Sequence, residues 1–130
     1  MINALRMYGN AYAQSQSQAR QDMISQRYNE IYAHELAHKT SGGSLAGEIV
    51  IERDANGVPI GGHVPIKMPV LNKANPQQTI EHANTVIRAA LAPGDPSDQD
   101  YKVAAQAESI KMKALAFKAK HQGQKLDIQV

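Results

Sequence analysis

The sequence predicts a small α+β domain in the order helix, β-hairpin, helix, helix. Three observations carry this. The stretch from Ser15 to Lys39 has no Pro or Gly and repeats apolar residues at helical spacing. A turn signature, Asp54-Ala55-Asn56-Gly57, separates two runs that read as strands. Two later segments each begin with a capping residue and carry an apolar stripe of helical period.

In chain order, residues 1–13 are weakly patterned and read as a flexible arm or a short helix. The first long helix buries Ile24, Tyr28 and Ile31 and ends at Thr40-Ser41-Gly42-Gly43, where glycine suits a left-handed cap. Ile49-Val50-Ile51 is a short strand and Val58 to Met68 its return. Gly61-Gly62 in the return marks a bulge or a close backbone approach. Asn75 caps a helix that starts at Pro76, with Gln78 as capping-box partner and Ile80, Ala83, Ile87 and Leu91 as the buried stripe. It stops at Pro93-Gly94-Asp95-Pro96. Ser97 opens the last helix with Asp100 as its capping-box acid, and Val103, Ala107, Ile110, Ala114 and Phe117 form one apolar seam. That helix fades near Gly123, so residues 14–122 make one domain and 123–130 a tail.

The 130 residues are 42% hydrophobic and 20% charged, enough for a real but thin core. Aromatic content is 5% with no Trp, so Ala and short aliphatics do most of the packing. Cysteine is absent. That excludes disulfide staples, thiol nucleophiles and zinc-finger sites, and leaves His, Asp and Glu to hold any metal. No run approaches the roughly 18 apolar residues of a membrane span. The first residues show no signal-peptide pattern, which makes a cytoplasmic location the expectation.

Charge is uneven along the chain. Residues 1–100 carry 8 basic and 10 acidic side chains, whereas residues 101–130 carry 6 lysines against Glu108 and Asp127. Lysines in that pattern can attract nucleic acid, but no Arg-rich cluster, aromatic platform or glycine clamp accompanies them. A solvated helix face that complements the helix dipole accounts for them, and no nucleic-acid partner is expected.

Tyr32-Ala33-His34-Glu35-Leu36-Ala37-His38 contains H-E-x-x-H. Residues four apart on a helix project within about 40° of each other, so His34 and His38 present their imidazoles to one point. Glu35 stands beside them and can reach a water at that point without itself being a ligand. Five His and six Glu among 130 residues give this pattern an expected chance count on the order of 0.01. Taken about Ile31, the residues Ile24, Tyr28, His34, Glu35 and His38 share one face within about 60°. The two histidines and the acid therefore turn towards the interior, where polar groups need partners and a metal supplies them. The bland alternative is a pair of core-edge histidines bonded to backbone or acids.

The chain resembles the SprA-related family of metallopeptidase-like proteins. The likeness runs through His34-Glu35-Leu36-Ala37-His38, Gly42-Gly43 and Gly61-Gly62-His63-Val64-Pro65-Ile66. It continues through Ala89-Ala90-Leu91-Ala92-Pro93, Pro96-Ser97-Asp98-Gln99-Asp100 and Val103-Ala104-Ala105-Gln106-Ala107, covering roughly residues 30–107. The resemblance implies a zinc (Zn2+) site on this fold and, through the zinc motif, a metallopeptidase acting on a peptide or protein substrate.

A catalytic zinc takes a third protein ligand, and His63, Asp100, Glu81, His82 and His121 are the candidates. His63 is the first choice, because Gly61-Gly62 lets the backbone approach the helix and the resembling segment carries Glu or His there. Asp100 is the second, with its capping position as a sufficient explanation without metal. Glu81 suits a helix N-terminus, His82 points away from its helix's stripe, and His121 sits among lysines at a helix end. Tyr28, Tyr32, Tyr101 and Arg27 are candidate donors to a developing oxyanion, and the sequence selects none of them. The leading expectation is thus a zinc-dependent metallopeptidase with His34 and His38 as ligands and Glu35 as general base. The rival is a non-catalytic adaptor with a structural or vestigial zinc site. Its long last helix would offer the seam from Val103 to Phe117 to a partner or to a second copy of the chain.

Overall fold

In a computed structural model the backbone is described for residues 2–128 and the side chains for residues 5–122. The elements, in order, are α1 (Ile2–Gly42), β1 (Val50–Arg53), β2 (Pro59–His63), α2 (Pro76–Ala90) and α3 (Asp98–Ile128). This is the expected α+β arrangement of a long first helix, a hairpin and two further helices.

The first helix is longer than its periodic segment. Residues 2–13 lack proline, so nothing breaks the α conformation ahead of Ser15, and α1 runs for 41 residues. Residues 5–23 are exposed, Leu5, Tyr8 and Tyr12 among them, which is why no apolar period marks that half. Burial begins with Ile24, Tyr28 and Ile31. Gly43 then takes φ +55°, the left-handed turn that stops the helix.

The hairpin turns on Asp54, whose Oδ1 accepts from the amides of Asn56 (2.8 Å) and Val58 (3.0 Å), while Gly57 adopts φ +79°. Arg20 donates to the Asn56 carbonyl at 2.7 Å, and the Arg53 guanidinium lies over the Tyr28 ring. Both contacts hold the hairpin along α1. β1 and β2 pair antiparallel with Val50 opposite His63, Ile51 opposite Gly62 and Glu52 opposite Gly61. The next pair is Arg53 with Pro59, so Ile60 is the bulged residue. β2 ends at His63 rather than Met68, with one isolated bridge between Ala46 and Ile66 beyond it.

Gly62 is where the hairpin meets the helix. A Cβ there would stand 2.8 Å from Ile31 Cγ2 and 2.9 Å from Glu35 Cγ. The glycine pair is thus a close approach, and the bulge lies one residue earlier.

Asn75 caps α2 by accepting from the Gln78 amide at 3.3 Å. The expected reciprocal bond is absent, because Asn72 accepts from the Asn75 amide and donates to the Gln78 side chain instead. The buried stripe also differs from the expected one. It comprises Thr79, Ile80, Ala83, Val86, Ala89 and Ala90, with Ile87 half-buried and Leu91 exposed. Thr79 lies outside the expected stripe, yet its hydroxyl donates to the Val70 carbonyl and accepts from the Asn72 amide, so it is buried with its polar group satisfied.

α3 starts with a complete capping box: Ser97 Oγ accepts from the Asp100 amide at 3.1 Å and Asp100 Oδ2 from the Ser97 amide at 2.9 Å. Its seam packs antiparallel on α2, Lys118 reaching Gln77 at the far end. The buried apolar residues are mostly Ala83, Ala89, Ala90, Ala104, Ala107 and Ala114, with Ile80 and Val86. Small side chains bring the helices close together.

Replacing Gly62 by Ala forces the hairpin off α1. We expect Gly62→Ala to cost about 1–3 kcal/mol, read as a lower denaturant midpoint at unchanged slope.

Candidate metal centre

His34, Glu35 and His38 lie in the half of α1 that the hairpin and α2 cover. Glu35 and His38 are buried and His34 is half-buried, so the motif does face inward. Their ligand atoms lie within 4.8 Å of one another, a group that could hold a metal ion.

The two imidazoles converge through Nε2. His34 Nε2 and His38 Nε2 are 3.2 Å apart, and Asp100 Oδ2 lies 3.3 Å from the first and 3.2 Å from the second. The other ring nitrogens have partners of their own. His38 Nδ1 is 2.7 Å from the Ala89 carbonyl, which can only accept, so Nδ1 carries the proton. His34 Nδ1 is 3.2 Å from Asp95 Oδ1, which likewise accepts when ionised. When both rings carry their proton on Nδ1, three lone-pair atoms face one point with no hydrogen between them. Such a triangle is repulsive unless a cation or an added proton occupies it. A tetrahedral ion with ligands at about 2.0–2.1 Å spaces them roughly 3.3 Å apart, which matches the observed triangle. The Ala89 carbonyl and the Asp95 carboxylate stand where outer partners of histidine ligands would stand.

Asp100 owes its place to the start of α3. The capping box holds its carboxylate over the first turn, and α2–α3 packing carries that turn to α1. His63 is placed differently. It borders the same cavity, but its Nδ1 is bonded to Glu52 Oε1 at 2.9 Å and its side chain is half exposed. The structure thus brings Asp100, and not His63, into hydrogen-bond range of the histidine pair. The other candidates lie elsewhere: His82 Nε2 donates to the Lys67 carbonyl, Glu81 pairs with Gln77, and His121 stacks on Phe117. Tyr28 and Tyr32 stack on each other, Tyr101 is exposed, and none of them, nor Arg27, lines the cavity. Asp95 is the residue that sequence reasoning missed. It sits in the Pro-Gly-Asp-Pro turn, and nothing local marks it as a histidine partner.

The cavity beside the triangle measures about 700 Å³ and runs between β2 and the start of α3. Glu35 lines it and makes no hydrogen bond among the described residues. Burial pushes the Glu35 carboxyl above the usual carboxylate range; Asp100 adds to the rise, while His38, His34 and His63 oppose it.

Fold and site together define a compact α+β domain with a histidine-acid group able to bind a metal on its longest helix. The chain belongs to the SprA-related family, whose family model matches residues 2–124. Comparison with curated proteins and with solved structures gives no match. Among the described residues, no helix is long and apolar enough to cross a membrane.

A raised carboxyl pKa makes the folded state bind more protons than the unfolded state, so Glu35 lowers stability as pH climbs through its folded value. We therefore expect metal-free Glu35→Gln to be more stable than metal-free wild type at pH 7. The gap should close below about pH 4, where the carboxyl is protonated in both states. Denaturant titrations in chelator at several pH values check this.

Proposed function

We propose that His34, His38 and Asp100 hold a zinc ion and that the chain is a zinc-dependent peptidase with Glu35 as general base. The observation that carries this reading is the triangle of two imidazole nitrogens and one carboxylate oxygen 3.2–3.3 Å apart, with an acceptor oxygen beside the far nitrogen of each ring. Zinc is favoured by the donor set, two imidazoles and one carboxylate with room for a fourth position beside the cavity. Bound there, it supplies Lewis acidity that makes a water easier to deprotonate and a carbonyl easier to attack.

The remaining work falls to Glu35. Its carboxylate faces the cavity without a protein partner, so it is free to take the proton of an attacking water. Burial raises its proton affinity, and the same proton then passes to the leaving amine as the C–N bond breaks. One water is consumed and Glu35 returns to its starting state. An adaptor role has less support, since the α3 seam on which it depended packs against α2.

Metal analysis tests the first half. Wild type should hold about one zinc, His34→Ala and Asp100→Ala little, and His63→Ala as much as wild type. Zinc retained by Asp100→Ala and lost by His63→Ala would move the third ligand to His63. Removing an outer partner should act more mildly: Asp95→Asn should weaken zinc binding about 10–100-fold, read by competition with a chelating dye. For the second half, Glu35→Gln should keep its zinc and lose at least about 100-fold in hydrolysis of a denatured protein. Equal cleavage by the two proteins removes the base assignment.

A further inference from the structure

We infer that the cavity takes a peptide-like ligand whose large aliphatic side chain sits beside the metal-binding group and that it disfavours an acidic one. The inference deepens the peptidase reading and rests on it for the reaction, though not for the selectivity.

Its basis is where the fold puts its larger apolar side chains. The fully buried core is mainly alanine, with Ile80 and Val86. Ile31, Val64, Ile66, Met68 and Val103, by contrast, are only half-buried, and all five line the cavity that also holds His34, Glu35, His38 and Asp100. They come from α1, from the segment after β2 and from α3, so the apolar wall exists only in the folded molecule. Val64, Ile66 and Met68 alternate with the exposed His63, Pro65 and Lys67, which turns one face of that segment inward. Apolar surface left half-wet in a concavity beside a reactive cluster is what an apolar ligand group covers. About 700 Å³ leaves room for a bulky side chain and the adjoining main chain.

The charge of the lining excludes other ligands. Glu30 and Asp95, both exposed, add negative charge to the lining, which repels a carboxylate side chain.

The test uses the full chain loaded with zinc and two probes that share one metal-binding group, leucine hydroxamate and aspartate hydroxamate. Calorimetry should show leucine hydroxamate binding at least about tenfold more tightly, and its methyl contacts should shift the NMR signals of Ile31, Val64 and Val103. Equal affinities, or a preference for the aspartate probe, overturn the inference. Val103→Asp should cut the preference below about threefold while zinc content stays at wild-type level. Should that variant not fold, Met68→Ala serves in its place, weakening the leucine probe alone. An unchanged preference in the folded variant also overturns the inference. The two proposals separate cleanly. A leucine preference with no peptide cleavage supports the selectivity and removes the peptidase reading, whereas cleavage without that preference does the reverse.

Discussion

A single carboxylate oxygen, Asp100 Oδ2, receives the Ser97 amide at 2.9 Å and stands within 3.3 Å of Nε2 on both His34 and His38. The first contact starts α3; the second joins that start to the middle of α1. Both Nε2 atoms and the Asp100 oxygen can act as acceptors, so α3 is docked on α1 at a point where a positive charge would be stabilising. An ion bound there would couple to helix docking, stabilising the native arrangement in the same step. The Ala89 carbonyl brings α2 into the same arrangement by fixing the His38 tautomer.

Packing follows from the same need. A core built on alanine lets α2 and α3 lie close, and that closeness delivers the Ala89 carbonyl, the Asp95 turn and the Asp100 carboxylate to one side of α1. On the other side Gly62 lets β2 rest directly on the Glu35 stem. Glu35 is held between them with 5% of its surface exposed. Its burial costs stability when charged, and its position is set by packing and not by a competing hydrogen bond. The larger aliphatics are displaced from the core to the cavity wall, where a ligand can use them.

Most of the fold could be read along the chain because its signals are local. The turn at Asp54-Gly57, the caps at Asn75 and Ser97 and the α3 seam each depend on residues a few positions apart. Errors arose where a partner distant in sequence intervened. Thr79 joins the α2 stripe because Val70 and Asn72 satisfy its hydroxyl, and Leu91 falls outside it because the chain turns away after Ala90. The first turns of α1 were missed as part of the long helix because an exposed helix needs no apolar period.

At the site the division is sharper. Four-residue spacing on a helix is enough to aim His34 and His38 at one point and to place Glu35 beside them, so these three could be named from the sequence. The third acceptor could not. The sequence favours His63 over Asp100, and their placement turns on what holds each one: Glu52 engages His63 from the paired strand, while the capping box and α2–α3 packing aim Asp100 at the histidines. Asp95 and the apolar wall belong with Asp100 in this respect. Each is a meeting of segments far apart in the chain, and spacing along a sequence carries no information about which distant residues tertiary packing will bring into contact.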